Sequence, residues 1–262
     1  MTDASIITAK DNGRATVTLN RPDVHNAFDD ELIARLAGEL EKLDQDPDVG
    51  VVVLAGEGKS FSAGADLNWM RRVAEYCEAE NLAGAVAMAQ MLKTLHGLSK
   101  PTIARVHGAA FGGGVGLVAC CDIAFASEAA LFSLSETKLG LVPATISPYV
   151  ITAIGERQSR RYMLSAERFD ALEAMRIGLV HGVVAAADLD QVIDEMAATL
   201  LANGPKAMAE VKEMIVSVAG RPIDDDLANE TAALIARIRV SEEGREGLAS
   251  FLEKRKPDWG KC

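Results

Sequence analysis

The sequence predicts an α/β fold, and three features of the chain carry this prediction. Short apolar runs with strand character alternate with helical patterns over the first two thirds. Two glycine-rich segments each lie between an apolar run and a helical pattern, and beyond Pro143 the pattern becomes mostly helical. Alternation of this kind is typical of layered β and α elements in which neighbouring strands supply one shared site. The 262 residues suffice for one large domain or a domain with a helical appendage.

The first elements are predicted to be a β-hairpin, a helix and a buried strand. Residues 15–20 alternate between apolar and polar, and Asp11-Asn12-Gly13 before them is turn chemistry that tolerates positive φ. A helix follows, with Asp29 as its N-cap and Asp46-Pro47 as its end. The β-branched run 51–55 suits a strand that is buried on both faces.

The later elements continue the alternation and then change character. In chain order they are predicted as a loop at 56–64, a long helix at about 68–98, a strand at 103–106, a glycine segment at 108–116 in which a helix begins and runs to Cys120, a strand at 122–126, a weak strand at 180–184, and helices that include 189–201, 206–218 and 242–254. We therefore predict a core with the site at 1–200 and a helical portion for oligomerisation at 201–262.

Charge and composition exclude several classes of protein. The net charge of −11 and the lack of a long basic run argue against nucleic-acid binding. No stretch of 18 apolar residues and no signal-like N-terminus is present, so neither a membrane span nor a secretory signal is expected. Cys120 and Cys121 are adjacent while Cys77 and Cys262 are isolated, which predicts reduced thiols and no metal site. We expect a cytoplasmic protein, with the mitochondrial matrix as the alternative if a transit peptide has been removed.

The two glycine-rich loops, 61–67 and 110–116, are candidates for an oxyanion hole. Glycine lets a backbone approach a ligand closely, and a helix N-terminus offers unsatisfied N–H donors. Two such loops from neighbouring strands can direct two N–H groups at one developing oxyanion. The alternative is that both are tight strand-to-helix turns with no ligand. A dinucleotide-binding reading fails, because Leu117 stands where Gly or Ala is needed.

Glu136 is the candidate for acid–base chemistry. It lies in an apolar neighbourhood between a short strand and Pro143, where partial burial would raise the pKa of its carboxyl group toward neutrality. The alternative is a surface carboxylate paired with Lys138. His107 lies beside a glycine loop, and a structural role is favoured for it over a catalytic one.

Five motifs in register give the chain a recognisable resemblance. They are Leu19-Asn20-Arg21-Pro22 with His25-Asn26-Ala27-Phe28, then residues 61–67, 108–114, Cys121-Asp122-Ile123-Ala124 and Gly140-Leu141-Val142-Pro143. In this order and spacing the chain resembles the crotonase (enoyl-CoA hydratase/isomerase) superfamily over essentially its whole length.

The resemblance implies a crotonase-type spiral of ββα turns, a C-terminal helical trimerisation portion, and a homotrimer or homohexamer. It implies an acyl-CoA thioester as substrate, no separate cofactor, and an oxyanion hole formed by the backbone N–H groups of Ala65 and Gly113, with Glu136 as the catalytic carboxylate. The positions that it matches to substrate binding are His25, Ala27, Ala63, Asp66 and Leu67 along the CoA path, Trp69 and Met70 near the acyl tail, and Phe251 and Lys254 toward a neighbouring subunit's CoA.

One departure from the family pattern bears on the reaction. Hydratases with two carboxylates carry a first Glu two residues after the triple glycine, where this chain has Gly116. A hydratase that uses Glu136 alone is therefore expected, with a Δ3,Δ2-enoyl-CoA isomerase as the alternative and a non-catalytic acyl-CoA-binding or RNA-binding protein as a third reading. The stretch 136–149 resembles the branch that hydrates 3-methylglutaconyl-CoA and longer glutaconyl-CoA homologues in leucine or acyclic-terpene breakdown. For the second carboxylate of such a substrate, Arg71 or Arg72 is the candidate partner, the alternative being a solvated helix face.

Overall fold

Two sheets, ten α-helices and two short 3-10 helices form the part of the chain that the structure, a computed structural model, describes, which is residues 5–259. The strands are β1 (Ile6–Asp11), β2 (Arg14–Leu19), β3 (Val51–Gly56), β4 (Ser60–Ser62), β5 (Thr102–Val106), β6 (Ala109–Phe111), β7 (Ile123–Ser127), β8 (Leu131–Ser133), β9 (Phe169–Asp170) and β10 (Gly182–Val184). The helices are α1 (Asp30–Gln45), α2 (Leu67–Val73), α3 (Glu78–His96), α4 (Gly113–Cys120), α5 (Ser147–Ser165), α6 (Ala171–Arg176), α7 (Leu189–Leu201), α8 (Pro205–Val218), α9 (Asp225–Val240) and α10 (Glu242–Leu252).

The larger sheet has the strand order β1-β2-β3-β5-β7-β10, and the smaller has the order β4-β6-β8-β9. Strand pairing is parallel except between β1 and β2 and between β8 and β9. The predicted α/β class is thus confirmed.

The first three predicted elements form as expected. Asn12 and Gly13 at the tip of the hairpin have φ of 48° and 83°, as the predicted turn chemistry requires. The Asp29 side chain accepts a hydrogen bond from the Leu32 N–H, at 2.8 Å, and so caps α1. Residues 51–55 are all buried, because β3 lies inside the sheet and is covered on both faces.

The predicted single helix at 68–98 is wrong, since the chain breaks it into α2 and α3. The Cys77 backbone N–H donates to the Glu80 side chain, at 2.8 Å, at the start of α3. This local cap starts a new helix inside a stretch whose Ala, Met and Leu content is helical throughout. The predicted loops 56–64 and 108–116 also contain strands, β4 and β6, which are too short to show an alternating pattern.

The chain divides into two compact units, one up to Ala197 and one from Ala198 onward. Helices α8, α9 and α10 belong to the second unit. Within it, the buried Glu243 side chain accepts the backbone N–H groups of Lys206 and Ala207, at 2.9 and 2.7 Å, and caps α8.

Two further findings concern the burial of the cysteines and the length of the helices. Cys120 and Cys121 are buried and Cys77 is exposed, while Cys262 lies outside the described residues. None of the helices within 5–259 is long and apolar enough to cross a membrane.

Candidate active site

The two glycine loops lie side by side because the strands before them are paired. Strands β4 and β6 run parallel, with Ser60 opposite Ala109 and Ser62 opposite Ala110. A Cβ atom on Gly114 would lie 2.4 Å from the Ser62 carbonyl oxygen, so a side chain there would drive the loops apart. The glycines therefore permit the close approach that the sequence predicts.

The backbone N–H groups of Ala65 and Gly113 have no protein acceptor among residues 5–259. Phe28 pairs with the residues on either side of Ala65: its N–H donates to the Gly64 carbonyl at 2.6 Å, and its carbonyl accepts the Asp66 N–H at 2.8 Å. Gly113 is the first residue of α4, where N–H groups have no partner within the helix. Two donors are thus left for a ligand.

Both residues line one cavity of about 150 Å³. The residues around it are Phe28, Ile33, Ala65, Trp69, Met88, Gly113, Glu136, Val142, Pro143, Thr145 and Ile146. Glu136 is the one ionisable side chain in this lining, and most of the others are apolar. A ligand in the cavity would meet two amide donors and one carboxyl group in a largely apolar surface.

The Glu136 side chain packs against the backbone of the second glycine loop. It begins a 3-10 helix, Glu136–Leu139, that follows β8. A Cβ atom on Gly112 would lie 2.9 Å from Glu136 Oε1, so the absence of a side chain at 112 admits the carboxyl group. Gly112 has φ of +49°, a conformation that also favours glycine.

The carboxyl group of Glu136 has the environment expected of a general acid or base. Its Oε2 atom is buried without a hydrogen-bond partner among the described residues, and burial raises the pKa of Glu136 above its ordinary value. The alternative ion pair with Lys138 is not formed within residues 5–259. An unpaired, half-buried carboxyl group beside two free amides is a functional-site candidate on physical grounds.

Ile146 fills the space beside Gly116 that the first atoms of a glutamate side chain at position 116 would occupy. A Cβ atom on Gly116 would lie 2.2 Å from Ile146 Cγ2 and 2.8 Å from Ile146 Cβ. Ile146 is only 2% exposed and also lines the cavity. The cavity therefore presents an apolar wall there, and Glu136 faces it alone.

Comparison with known proteins identifies the family. Residues 9–261 match the family described as enoyl-CoA hydratase/isomerase. The chain belongs to this family. A solved enoyl-CoA hydratase from Shewanella pealeana is 46% identical and superimposes with a TM-score of 0.96, over 98% of this chain and 97% of that one. The short-chain-enoyl-CoA hydratase of Clostridium acetobutylicum is 32% identical over 96% of both chains. The 2,3-dehydroadipyl-CoA hydratase of Escherichia coli is 30% identical over 98% of both.

Of the residues predicted for the site in this enoyl-CoA hydratase/isomerase family member, four meet in the cavity: Ala65, Trp69, Gly113 and Glu136. Others predicted along the CoA path lie outside its lining. His25 accepts the Ala63 N–H on its carbonyl oxygen, at 2.9 Å, and its Nδ1 lies 3.1 Å from Ser60 Oγ. The Ala27 carbonyl accepts from Arg21.

Asp66 has a structural role that the sequence interpretation did not give it. Its buried carboxylate accepts the N–H groups of Asn68 and Trp69, at 2.8 and 3.1 Å, and so caps α2. Arg21 lies 3.2 Å from the same carboxylate. Burial alone would raise the pKa of Asp66, but these hydrogen bonds and the Arg21 charge hold it below its usual range. The predicted contact with CoA stays a prediction.

The remaining predicted positions lie on helices. Leu67 is exposed and Met70 is half-buried on α2, and Phe251 and Lys254 are exposed in the second unit. Arg71 and Arg72 do not line the cavity: Arg71 donates to Asn68 Oδ1 at 2.8 Å, and Arg72 donates to Asp30 at 3.1 Å. The structure therefore brings neither arginine to the site, and the solvated-face alternative fits both better.

Sequence reasoning missed most of the apolar lining. Phe28, Val142 and Pro143 lie inside the quoted motifs and Ile146 lies in the stretch 136–149, yet nothing in the pattern showed that they share a wall. Ile33 and Met88 come from α1 and α3, and their spacing is that of ordinary core positions. Only the tertiary fold brings these segments together.

Proposed function

We propose that the chain catalyses the addition of water to a short α,β-unsaturated acyl-CoA. The observation that carries the proposal is one unpaired carboxyl group, Glu136, in an apolar cavity that also exposes the free amides of Ala65 and Gly113. Members of the same family named as enoyl-CoA hydratases support a general hydratase role.

The proposed mechanism divides the work between backbone and side chain. The thioester oxygen accepts hydrogen bonds from the Ala65 and Gly113 amides, which stabilise the enolate as it forms. Loss of one such donor commonly costs about 3 kcal/mol of barrier. Glu136 orients a water molecule, accepts its proton as the oxygen attacks the β-carbon, and returns a proton to the α-carbon. Positioned proton transfer of this kind contributes about 10²- to 10⁴-fold in rate.

The cavity favours a short and uncharged acyl group. An apolar cavity of about 150 Å³ holds a molecule of the size of benzene, and this cavity has the same volume, although Ala65 and Val142 in its lining are exposed and leave it open to solvent. Its described lining contains no Lys or Arg to receive a second carboxylate. The site therefore supports the hypothesis of a 3-methylglutaconyl-CoA substrate less well than that of a short neutral enoyl-CoA substrate. Because the E. coli relative is named for a dehydroadipyl substrate, carboxylated esters belong in the substrate screen.

Substitution of Glu136 by Gln tests the assignment. The amide keeps the size of the side chain but cannot accept a proton, so kcat is expected to fall by about 10²- to 10⁴-fold while affinity for a saturated acyl-CoA is kept. Glu128→Gln is the matched control, because Glu128 is exposed and lies outside the cavity. Hydration at the wild-type rate by Glu136→Gln would refute the role of this residue.

A Δ3,Δ2-enoyl-CoA isomerase is the second candidate, and the Gly116–Ile146 contact favours it. A single carboxyl group suffices to move a proton between two carbons, and this site has one. The two reactions are distinguished by incubating the protein with a 2-enoyl-CoA and with a 3-enoyl-CoA and measuring the product masses by mass spectrometry. Only hydration adds the mass of water.

Assembly into a trimer or hexamer is proposed from the second unit taken by itself. Several of its large apolar side chains are exposed, among them Ile223 (96%), Phe251 (80%) and Leu252 (78%). Exposed apolar side chains that lie together in one patch mark a subunit interface, and these residues are the candidates for it. Sedimentation of the wild type is expected to show a homotrimer or a homohexamer, and a monomer at micromolar concentration would contradict it. The cytoplasmic location stays a prediction.

A further inference from the structure

Helix α2 carries one wall of the cavity although it is weakly anchored. None of its seven residues is buried, yet Trp69 lines the cavity. The Asp66 cap holds only its first turn. An element with few buried contacts opens easily unless polar contacts fix it.

Asp30 supplies the second attachment of α2. Its Oδ1 accepts the indole N–H of Trp69 at 2.8 Å, and its Oδ2 accepts a guanidinium N–H of Arg72 at 3.1 Å. Asp30 is in the first turn of α1, three residues before Ile33, which lines the same cavity. One carboxylate thus joins two helices that both contribute a residue to the lining of the cavity.

We propose that Asp30 is a positioning residue that limits acyl-chain length by holding Trp69 against the cavity. The bond to Asp30 uses the one polar atom of the indole, so a ligand in the cavity meets only the apolar part of the ring. Removal of the bond releases the ring, while Asn81 still donates to the Val73 carbonyl at the end of α2, at 3.2 Å. The ring can then turn away from the cavity and leave room for a longer chain. This inference rests on the proposed acyl-CoA specificity and names a residue that sets it.

Binding of saturated acyl-CoA esters tests the inference without requiring turnover. Calorimetric titration with butyryl-, octanoyl- and dodecanoyl-CoA gives the preference of each variant for short over long chains. In Asp30→Ala this preference is expected to fall by about tenfold, the size of effect that a small change in an apolar pocket produces. Asp30→Asn keeps an oxygen that accepts the indole N–H and is expected to keep the wild-type preference.

Two controls separate positioning from general destabilisation. Glu31→Ala removes the neighbouring exposed carboxylate, which pairs with Arg35, and is expected to change nothing. In a Trp69→Ala background, Asp30→Ala is expected to add no further change, because the ring that it positions is gone. An equal effect of Asp30→Ala with and without Trp69, or no effect beyond that of Glu31→Ala, would overturn the inference.

Fluorescence gives a readout that a purely structural role would not move. In a Trp259→Phe background Trp69 is the remaining tryptophan of the chain. Acrylamide quenching of Trp69 is expected to increase in Asp30→Ala and to stay unchanged in Asp30→Asn and Glu31→Ala. Unchanged quenching in Asp30→Ala would show that the indole does not need Asp30.

Failure of the inference and failure of the proposed function are distinguishable. If the wild type binds acyl-CoA but hydrates no enoyl ester, the hydratase proposal fails while the chain-length preference still decides the role of Asp30. If the wild type hydrates enoyl-CoA and Asp30→Ala keeps its preference, the Asp30 inference alone fails. A wild type that binds no acyl-CoA would overturn both.

Discussion

The packing of Ile146 against Gly116 gives a stability change that can be worked out from the structure. Carbon atoms in contact lie about 3.5–4.0 Å apart, whereas a Cβ atom on residue 116 would lie 2.2 Å from Ile146 Cγ2. Relief requires a shift of roughly 1.3 Å or more by a side chain that is only 2% exposed. Overpacking of this kind costs about 1–3 kcal/mol, and we expect Gly116→Ala to fall at the upper end.

The contribution of Ile146 is isolated by a double-mutant cycle. Ile146→Ala removes Cγ2 and leaves the milder 2.8 Å contact with Cβ, so Gly116→Ala should cost about 1–2 kcal/mol less in that background. Gly38→Ala is the matched control, because it also replaces a glycine inside a helix. A Cβ atom on residue 38 meets no atom within 4 Å.

Thermal unfolding of the four proteins at one concentration measures the coupling. A change of 1 kcal/mol shifts Tm by about 2–4 °C for chains of this size. Additive effects of the two substitutions would refute the reasoning, because they would mean that the side chain at 146 does not restrict residue 116.

Three further predictions concern stability. Burial raises the pKa of Glu136, so ionisation of this group opposes folding. Glu136→Gln should therefore raise Tm near neutral pH. The difference in Tm between the variant and the wild type should vanish below about pH 4, where the carboxyl group of the unfolded chain is also protonated. Asp29→Ala removes both the α1 cap and the ion pair with Arg21 and should cost about 1 kcal/mol or more, whereas Asp29→Asn can still cap and should cost less, as chemical unfolding would show. Glu243→Ala leaves two amides of α8 without their acceptor, so their hydrogen exchange should become faster than in Glu243→Gln; equal rates would contradict the cap.

The elements that sequence predicts well are those whose signals are local. The Asn12-Gly13 turn, the Asp29 cap and the buried run 51–55 each depend on a few adjacent residues, and all three form as expected. Strands β4 and β6 have three residues each and are stabilised by each other, so no local pattern shows them. The break between α2 and α3 was not predicted for a different reason. The Ala, Met and Leu content is helical throughout this stretch and hid the cap at Cys77.

The residues of the site also divide into those that have a local sequence signal and those that have none. Glu136 and the two glycine loops are visible in the sequence because chemistry and backbone freedom restrict which residues can stand there. Ile146 and Asp30 carry no such signature. Their roles depend on which residue of another segment lies opposite them, Gly116 in one case and Trp69 in the other, and only the fold determines that.

The apolar wall at Ile146 has a consequence for the pH dependence of the reaction. A site with one carboxylate as base and another as acid loses activity on both sides of an optimum, because each must hold its own protonation state. Here the described lining of the cavity has Glu136 alone, which must begin the hydration deprotonated and returns the proton that it takes.

The kcat/KM is therefore expected to rise with pH through a single ionisation, displaced above the ordinary range of a carboxyl group because burial raises the pKa of Glu136. It should then remain level until groups such as Lys and Tyr titrate. The Glu128→Gln control should keep this profile. A descending limb in the neutral range would reveal a second essential acid and refute the assignment of both proton transfers to one residue.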